Sequence, residues 1–139
     1  MIPINLLSVF VAALVAFIIG FLFHGPLFGK LWMRLANIHP TGNEKLSDMI
    51  PQMLWNFLSN FVTAFVMAGI LWMASTSPVI GTLTWSKGVI VGVWLWLGFL
   101  VTSSSIEVIW MGRSTKLWLF EAASSLFVMV AMGAILVAW

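Results

Sequence analysis

The residues able to do chemistry are few, and most of them sit inside apolar stretches. Between Pro51 and Ala74 an otherwise greasy run carries Gln52, Asn56, Ser59, Asn60 and Thr63. Their steps of three and four put them along one face of an α-helix. Amides in hydrocarbon are costly unless they meet partners, so this face must point into protein or water. Glu121 lies about one turn into the last apolar run, and His24 closes the first. Thr102, Ser103, Ser104 and Ser105, followed by Glu107, end the third. With a rise of about 1.5 Å per residue, all of these except Thr63 fall in the same half of a membrane's thickness. The other half is almost purely apolar, apart from Thr63 and the Asn5–Ser8 start.

Such a constellation suits a pocket for a polar solute or ion. Glu121 and His24 would be its titratable members and Asn56 and Asn60 its floor, with Ser59 and Ser103 in the lining. A plainer reading stands beside it. Glu107 and Glu121 flank Arg113 and Lys116, so both can be interfacial ion pairs. An asparagine between membrane helices is often a fastener worth about 1 kcal/mol. Hydroxyls in a helix bond back to their own carbonyls, and a histidine at a helix end can donate to a free one.

Catalytic chemistry is poorly provided for. A metal site wants three or four ligands, and His24, His39 and four carboxylates show no paired spacing. One histidine at a helix end does not make a haem site. No nucleotide-binding loop and no serine–histidine–acid arrangement stands out. Cysteine is absent, which removes disulfides, thiolate clusters and thiol nucleophiles. No catalytic residue, metal or cofactor is therefore expected.

The elements that must position these residues follow from composition. Of 139 residues, 62% are hydrophobic and 7% charged, whereas a soluble domain carries about a quarter charged. Four apolar runs each reach the roughly 20 residues that cross a bilayer as a helix. The alternation of barrel strands is missing. A net charge of +2 is too small to argue for nucleic acid. The first run lacks the basic leader and small-residue cleavage site of a signal peptide, so it reads as a mature span. The expected fold is all-α: a polytopic membrane protein, one domain over residues 1–139. Its helices are predicted at about 4–23, 48–74, 86–106 and 116–138, with a short amphipathic interfacial helix at about 27–36.

Local signals set the details. Ala12, Ala16 and Gly20 form a small-residue packing seam, and Gly88 with Gly92 forms another. Gly25-Pro26 is predicted to stop the first helix. Lys30 and Arg34 lie one turn apart on the polar side of the interfacial helix, a basic anchor open to anionic lipid. Ser47 or Asp48 is predicted to cap the second span, with Pro51 in its first turn. Lys30, Arg34, Lys45, Arg113 and Lys116 all fall in the first and third connections; only Lys87 and the amino-terminal amine lie opposite. The positive-inside rule then puts both termini outside. Trp32, Trp110 and Trp118 mark the inner interface, and Trp72, Trp85 and Trp139 the outer one.

The segment His24-Gly25-Pro26-Leu27-Phe28-Gly29-Lys30-Leu31-Trp32 carries more specific information. With Asn5 before it, and Gly112-Arg113 leading to Lys116-Leu117-Trp118-Leu119 after it, the chain resembles the bacterial membrane family catalogued as domain of unknown function 1761. The likeness covers essentially the whole chain. It implies a small four-helix protein of the bacterial cytoplasmic membrane and supplies no catalytic residues. Met111 stands where that family often has an acid, and Glu121 where it usually has asparagine. Two functions lead, a small transporter- or channel-like protein or a structural subunit of a membrane complex, and a membrane enzyme, which would need an ordered cofactor or metal in the pocket, stands behind them. In each case a homo-oligomer, most simply a dimer, is expected.

Overall fold

The computed structural model describes residues 4–139. The amino-terminal amine lies outside them. The protein is all-α, with no strand among the described residues. Among the described residues four segments are long and apolar enough to span a membrane: Leu6–Leu27, Ser47–Ser75, Trp85–Met111 and Thr115–Val137.

Helix α1 (Leu6–Leu22) starts where it does because Asn5 caps it. The Asn5 Oδ1 accepts from the backbone N–H groups of Leu7 at 3.0 Å and Ser8 at 3.3 Å. Gly25-Pro26 bends this span without ending it. A wide π-helical turn, Phe23–Leu27, carries the chain on, with Gly25 out of helical geometry at φ −120°, ψ −106°. Pro26 has no N–H to offer the carbonyl one turn back, so the bond pattern must widen there. The interfacial helix α2 (Gly29–Leu35) follows, shorter than its amphipathic pattern suggests.

Helix α3 (Leu46–Ser75) begins at Lys45 with no side-chain cap. Neither Ser47 nor Asp48 serves as one; the Ser47 hydroxyl donates to the Asp48 carboxylate at 3.2 Å instead. Pro51 consequently falls in the second turn. The third span is built from α4 (Trp85–Leu95), a second π-helical turn (Trp96–Val101) and α5 (Thr102–Met111). It runs past Ile106, ending at Gly112 in left-handed geometry, φ +67°. Helix α6 (Thr115–Val137) closes the fold.

The spans do not pack in chain order. Helices α1 and α6 lie together in the middle. Helix α3 packs mainly on α1, with a smaller contact to α6, and α4 packs on α6. Consecutive spans α3 and α4 make at most marginal contact, so the other helices do not surround the amide face of α3 as its pattern suggests. The tightest seam is α4 on α6. A Cβ on Gly88 would overlap the carbonyl oxygen of Gly133, and one on Gly92 would lie 2.5 Å from that of Met129. Only glycine allows two backbones this close. The α1 seam holds at Ala12 and Ala16, which are fully buried, and not at Gly20, where an added Cβ would meet nothing within 4 Å.

The core is confined to one half of the thickness. Val9, Ala12, Ala16, Ala64, Met67, Leu71, Met129 and Met132 cluster toward the end where α1 begins and α6 finishes. The opposite end, which carries the Arg113 turn and the basic residues of the first connection, has few buried side chains. Lys87 caps the other side, its Nζ donating to the carbonyls of Ile80 at 2.5 Å and Thr82 at 2.8 Å.

The connection between α2 and α3 is ordered by one acid. The Glu44 carboxylate accepts from the Thr41 N–H at 2.5 Å, the Thr41 hydroxyl at 3.0 Å and the Gly42 N–H at 3.0 Å. The Thr41 backbone bond is the main reason its pKa lies below the usual carboxylate value. A lowered folded pKa means the turn is favoured above the ordinary value and released as pH falls through the lowered one. Amide exchange at Thr41 and Gly42 should therefore be slow near neutrality and accelerate in acid. In a Glu44→Ala variant it should be fast throughout; protection that survives that change would mean the acid does not hold the turn.

Candidate functional site

The polar groups gather where the core gives out. Gly112 turns the chain with its left-handed conformation, and the Arg113 N–H closes the end of α5 on the Glu107 carbonyl at 3.1 Å. This turn aims the Arg113 side chain back between α5 and α6. Its Nη1 pairs with the Glu107 carboxylate. Its Nη2 donates to both oxygens of Glu121, at 2.7 and 2.6 Å. The three side chains are about one-third exposed: 30% for Arg113, 42% for Glu107 and 32% for Glu121. Burial alone would lower the Arg113 pKa. The hydrogen bonds and charges of Glu107 and Glu121 outweigh it and raise the value, so the guanidinium stays charged.

Beside this cluster lies an open cleft of about 300 Å³ between the α5 end of the third span and α6. Ser103, Ser104, Trp118, Glu121 and Ser125 supply its polar lining and Leu100 part of its apolar wall. Two indoles brace it. Trp118 Nε1 donates to the Ser104 hydroxyl oxygen at 2.9 Å. Trp96 Nε1 donates to the Ala122 carbonyl at 2.8 Å and the Ser125 oxygen at 3.1 Å. Each hydroxyl spends its own proton on a helix carbonyl: Ser104 on Leu100 at 2.7 Å, Ser125 on Ala122 at 2.9 Å and Ser103 on Phe99. Toward the cleft these groups present oxygen lone pairs. The π-helical turn Trp96–Val101 forms its upper edge, a backbone irregularity often found beside functional sites.

The six sequence candidates do not form one pocket. Ser103 and Glu121 line the cleft. Asn56, Ser59 and Asn60 lie on α3, none of them in that lining. Asn60 Nδ2 donates to Asn56 Oδ1 at 2.7 Å, and the Ser59 hydroxyl to the Trp55 carbonyl at 2.9 Å. His24 Nδ1 is 2.9 Å from the Gly20 carbonyl oxygen, and its ring meets Trp32 and Phe120 edge-on. The basic pair Lys30 and Arg34 is exposed on α2, without an ion-pair partner among the described residues. No three of His, Asp and Glu gather as a metal set among those residues either.

Trp96, Trp118, Ser104 and Ser125 do not stand out as a group in the sequence. A signal is nonetheless present: 118, 121, 122 and 125 recur at the three-four spacing of one helical face. An interfacial tryptophan and a hydroxyl run look generic until the facing helix is known.

Four membrane-length helices with a braced polar cleft at one end define a multi-pass helical membrane protein. The chain belongs to the family described as protein of unknown function DUF1761, which it matches over residues 7–137. No curated protein and no solved structure matches it.

Proposed function

We propose that the chain is a small transporter- or channel-like protein of the bacterial cytoplasmic membrane. In this reading the cleft beside Glu121 opens to the cytoplasm, both termini are extracytoplasmic, and Lys30 and Arg34 rest on anionic headgroups. One observation carries it. Packing and polarity divide the molecule across its thickness: the buried core fills one half, and the braced cleft occupies the other. A half with few buried contacts is also where local opening costs least. The π-helical turn that carries His24 lies in that half, and the second, at the middle of its span, borders the cleft.

Flux through reconstituted vesicles tests the reading. Protein in proteoliposomes, with and without anionic lipid, should dissipate an imposed gradient of protons, potassium or ammonium faster than empty vesicles. Glu121→Gln should cut that rate about tenfold, equal to about 1.4 kcal/mol of barrier. No excess flux of any of the three would sink the proposal.

A second reading rests on Arg113, which occupies both oxygens of Glu121. If that pair only fastens α5 to α6, the protein is a structural subunit. Glu121→Gln would then lower thermal stability without a transport phenotype, and a larger complex would co-purify.

A further inference from the structure

Helix α3 has a face that the other described residues leave bare. Its inward stripe is Phe57, Phe61, Ala64, Met67 and Leu71. Asn56 and Thr63 point roughly a quarter turn away from Ala64, and Gln52 about a third, at 3.6 residues per turn. Asn56, Ser59, Val66 and Met73 are exposed, and Thr63 and Ile70 half-buried. These positions are not scattered. Asn56, Ser59, Thr63, Val66, Ile70 and Met73 follow steps of three, four, three, four and three, the 3.5-residue repeat of a helix that pairs with another along its length. Asn56, Thr63 and Ile70 take one of the two seam positions; Ser59, Val66 and Met73 take the other. Asparagine and β-branched residues at the first position are the pattern of parallel two-stranded pairs.

We propose that this seam is the interface between two copies of the chain, related by a two-fold axis along the membrane normal. Three features fit a second copy. The α3 amides are not satisfied within one chain. Asn60 gives one N–H to Asn56, which leaves both N–H groups of Asn56, a seam residue, without protein partners among the described residues. In hydrocarbon each unmet group costs several kcal/mol. An amide is donor and acceptor at once, so a two-fold axis that brings equal depths together makes the face complementary to itself. Charge does not oppose the pairing, because no residue from Met49 to Ser86 is charged. Ser59 and Thr63 are small and spend their own protons within α3, on the Trp55 and Ser59 carbonyls at 2.9 Å. They let the two backbones come close. The pairing does not depend on what the Glu121 cleft carries.

The absence of cysteine makes the test clean. Single cysteines go in at Ser59, Thr63 and Val66 on the seam, and at Leu58 and Phe65 as exposed controls on the same helix. Native membranes are then oxidised. The seam positions should give a covalent dimer at least severalfold more than the controls. Equal yields at all five positions, or a dimer at one seam position alone, would overturn the parallel two-fold arrangement. A Ser59→Trp variant adds a fold-independent check, because Ser59 is exposed in the single chain. Its helical content should be unchanged and its dimer fraction in mild detergent should drop about tenfold. An unchanged dimer fraction, or a wild-type protein that is monomeric by mass and captures a different membrane protein through this face, would overturn the proposal.

Discussion

Replacing Gly92 with valine should destabilise the protein by about 3 kcal/mol or more, the upper range for overpacked cores. What a side chain at Gly92 would meet is backbone: Met129 O at 2.5 Å, Met129 C at 3.0 Å and Val130 N at 3.3 Å. No rotamer change on α6 can clear that space, so α4 must move away from α6 as a unit. The same displacement would open the Gly88–Gly133 contact one turn along. It would also pull Trp96 from the Ala122 carbonyl and loosen the brace of the cleft. Even Gly92→Ala should lower the midpoint of thermal or detergent unfolding. Gly20→Ala is the control. A methyl group added at Gly20 would find nothing within 4 Å, and alanine is the better helix former by about 1 kcal/mol. The two alanine variants should therefore shift stability in opposite directions. If Gly92→Ala melts like Gly20→Ala, the close approach of α4 to α6 is not made in solution.

That contrast marks how far the sequence could be read. Gly88 and Gly92 announce a close contact through their spacing, and the contact exists. Their partners, Gly133 for Gly88 and the Met129 backbone for Gly92, lie in a run of apolar residues, and nothing local gives their register against α4. Length and hydropathy locate the four spans because lipid demands continuous helices. They carry no information on which spans touch, and the separation of α3 from α4 is a matter of packing alone. The helix ends shift for local reasons. Pro26 widens a turn where its pattern reads as a stop, and Lys45 rather than Ser47 precedes α3. Of the site residues, Glu121 was visible as a charge in an apolar run, together with Arg113 as its possible partner. Which of Ser103, Ser104 and Ser105 faces α6 depends on the π-helical turn before them, which rotates the face by more than ordinary helical counting allows.

Arg113→Met should cost about 1–3 kcal/mol, and the loss should shrink when the acids are removed with it. A fully buried pair broken on one side loses about 3–5 kcal/mol, because a charge is left without compensation. Arg113, Glu107 and Glu121 are about one-third exposed, and water screens what remains, so the lower range applies. Without the guanidinium, two carboxylates from α5 and α6 face each other across the turn. The chain also loses the donor that ties Glu107 on α5 to Glu121 on α6. Combining Arg113→Met with Glu107→Gln and Glu121→Gln removes the repulsion while keeping the side-chain volumes. Stability should then recover toward wild type, since replacing a whole ionic cluster is often near neutral. A cycle of the single, double and triple variants, followed by denaturant midpoint, isolates the coupling. Additive losses would mean the three charges are independent surface groups. Strong coupling with wild-type flux in the triple variant would give the cluster a fastening role and leave the cleft hydroxyls to carry the solute. Strong coupling with flux abolished even after stability returns would require the charged cluster for transport itself.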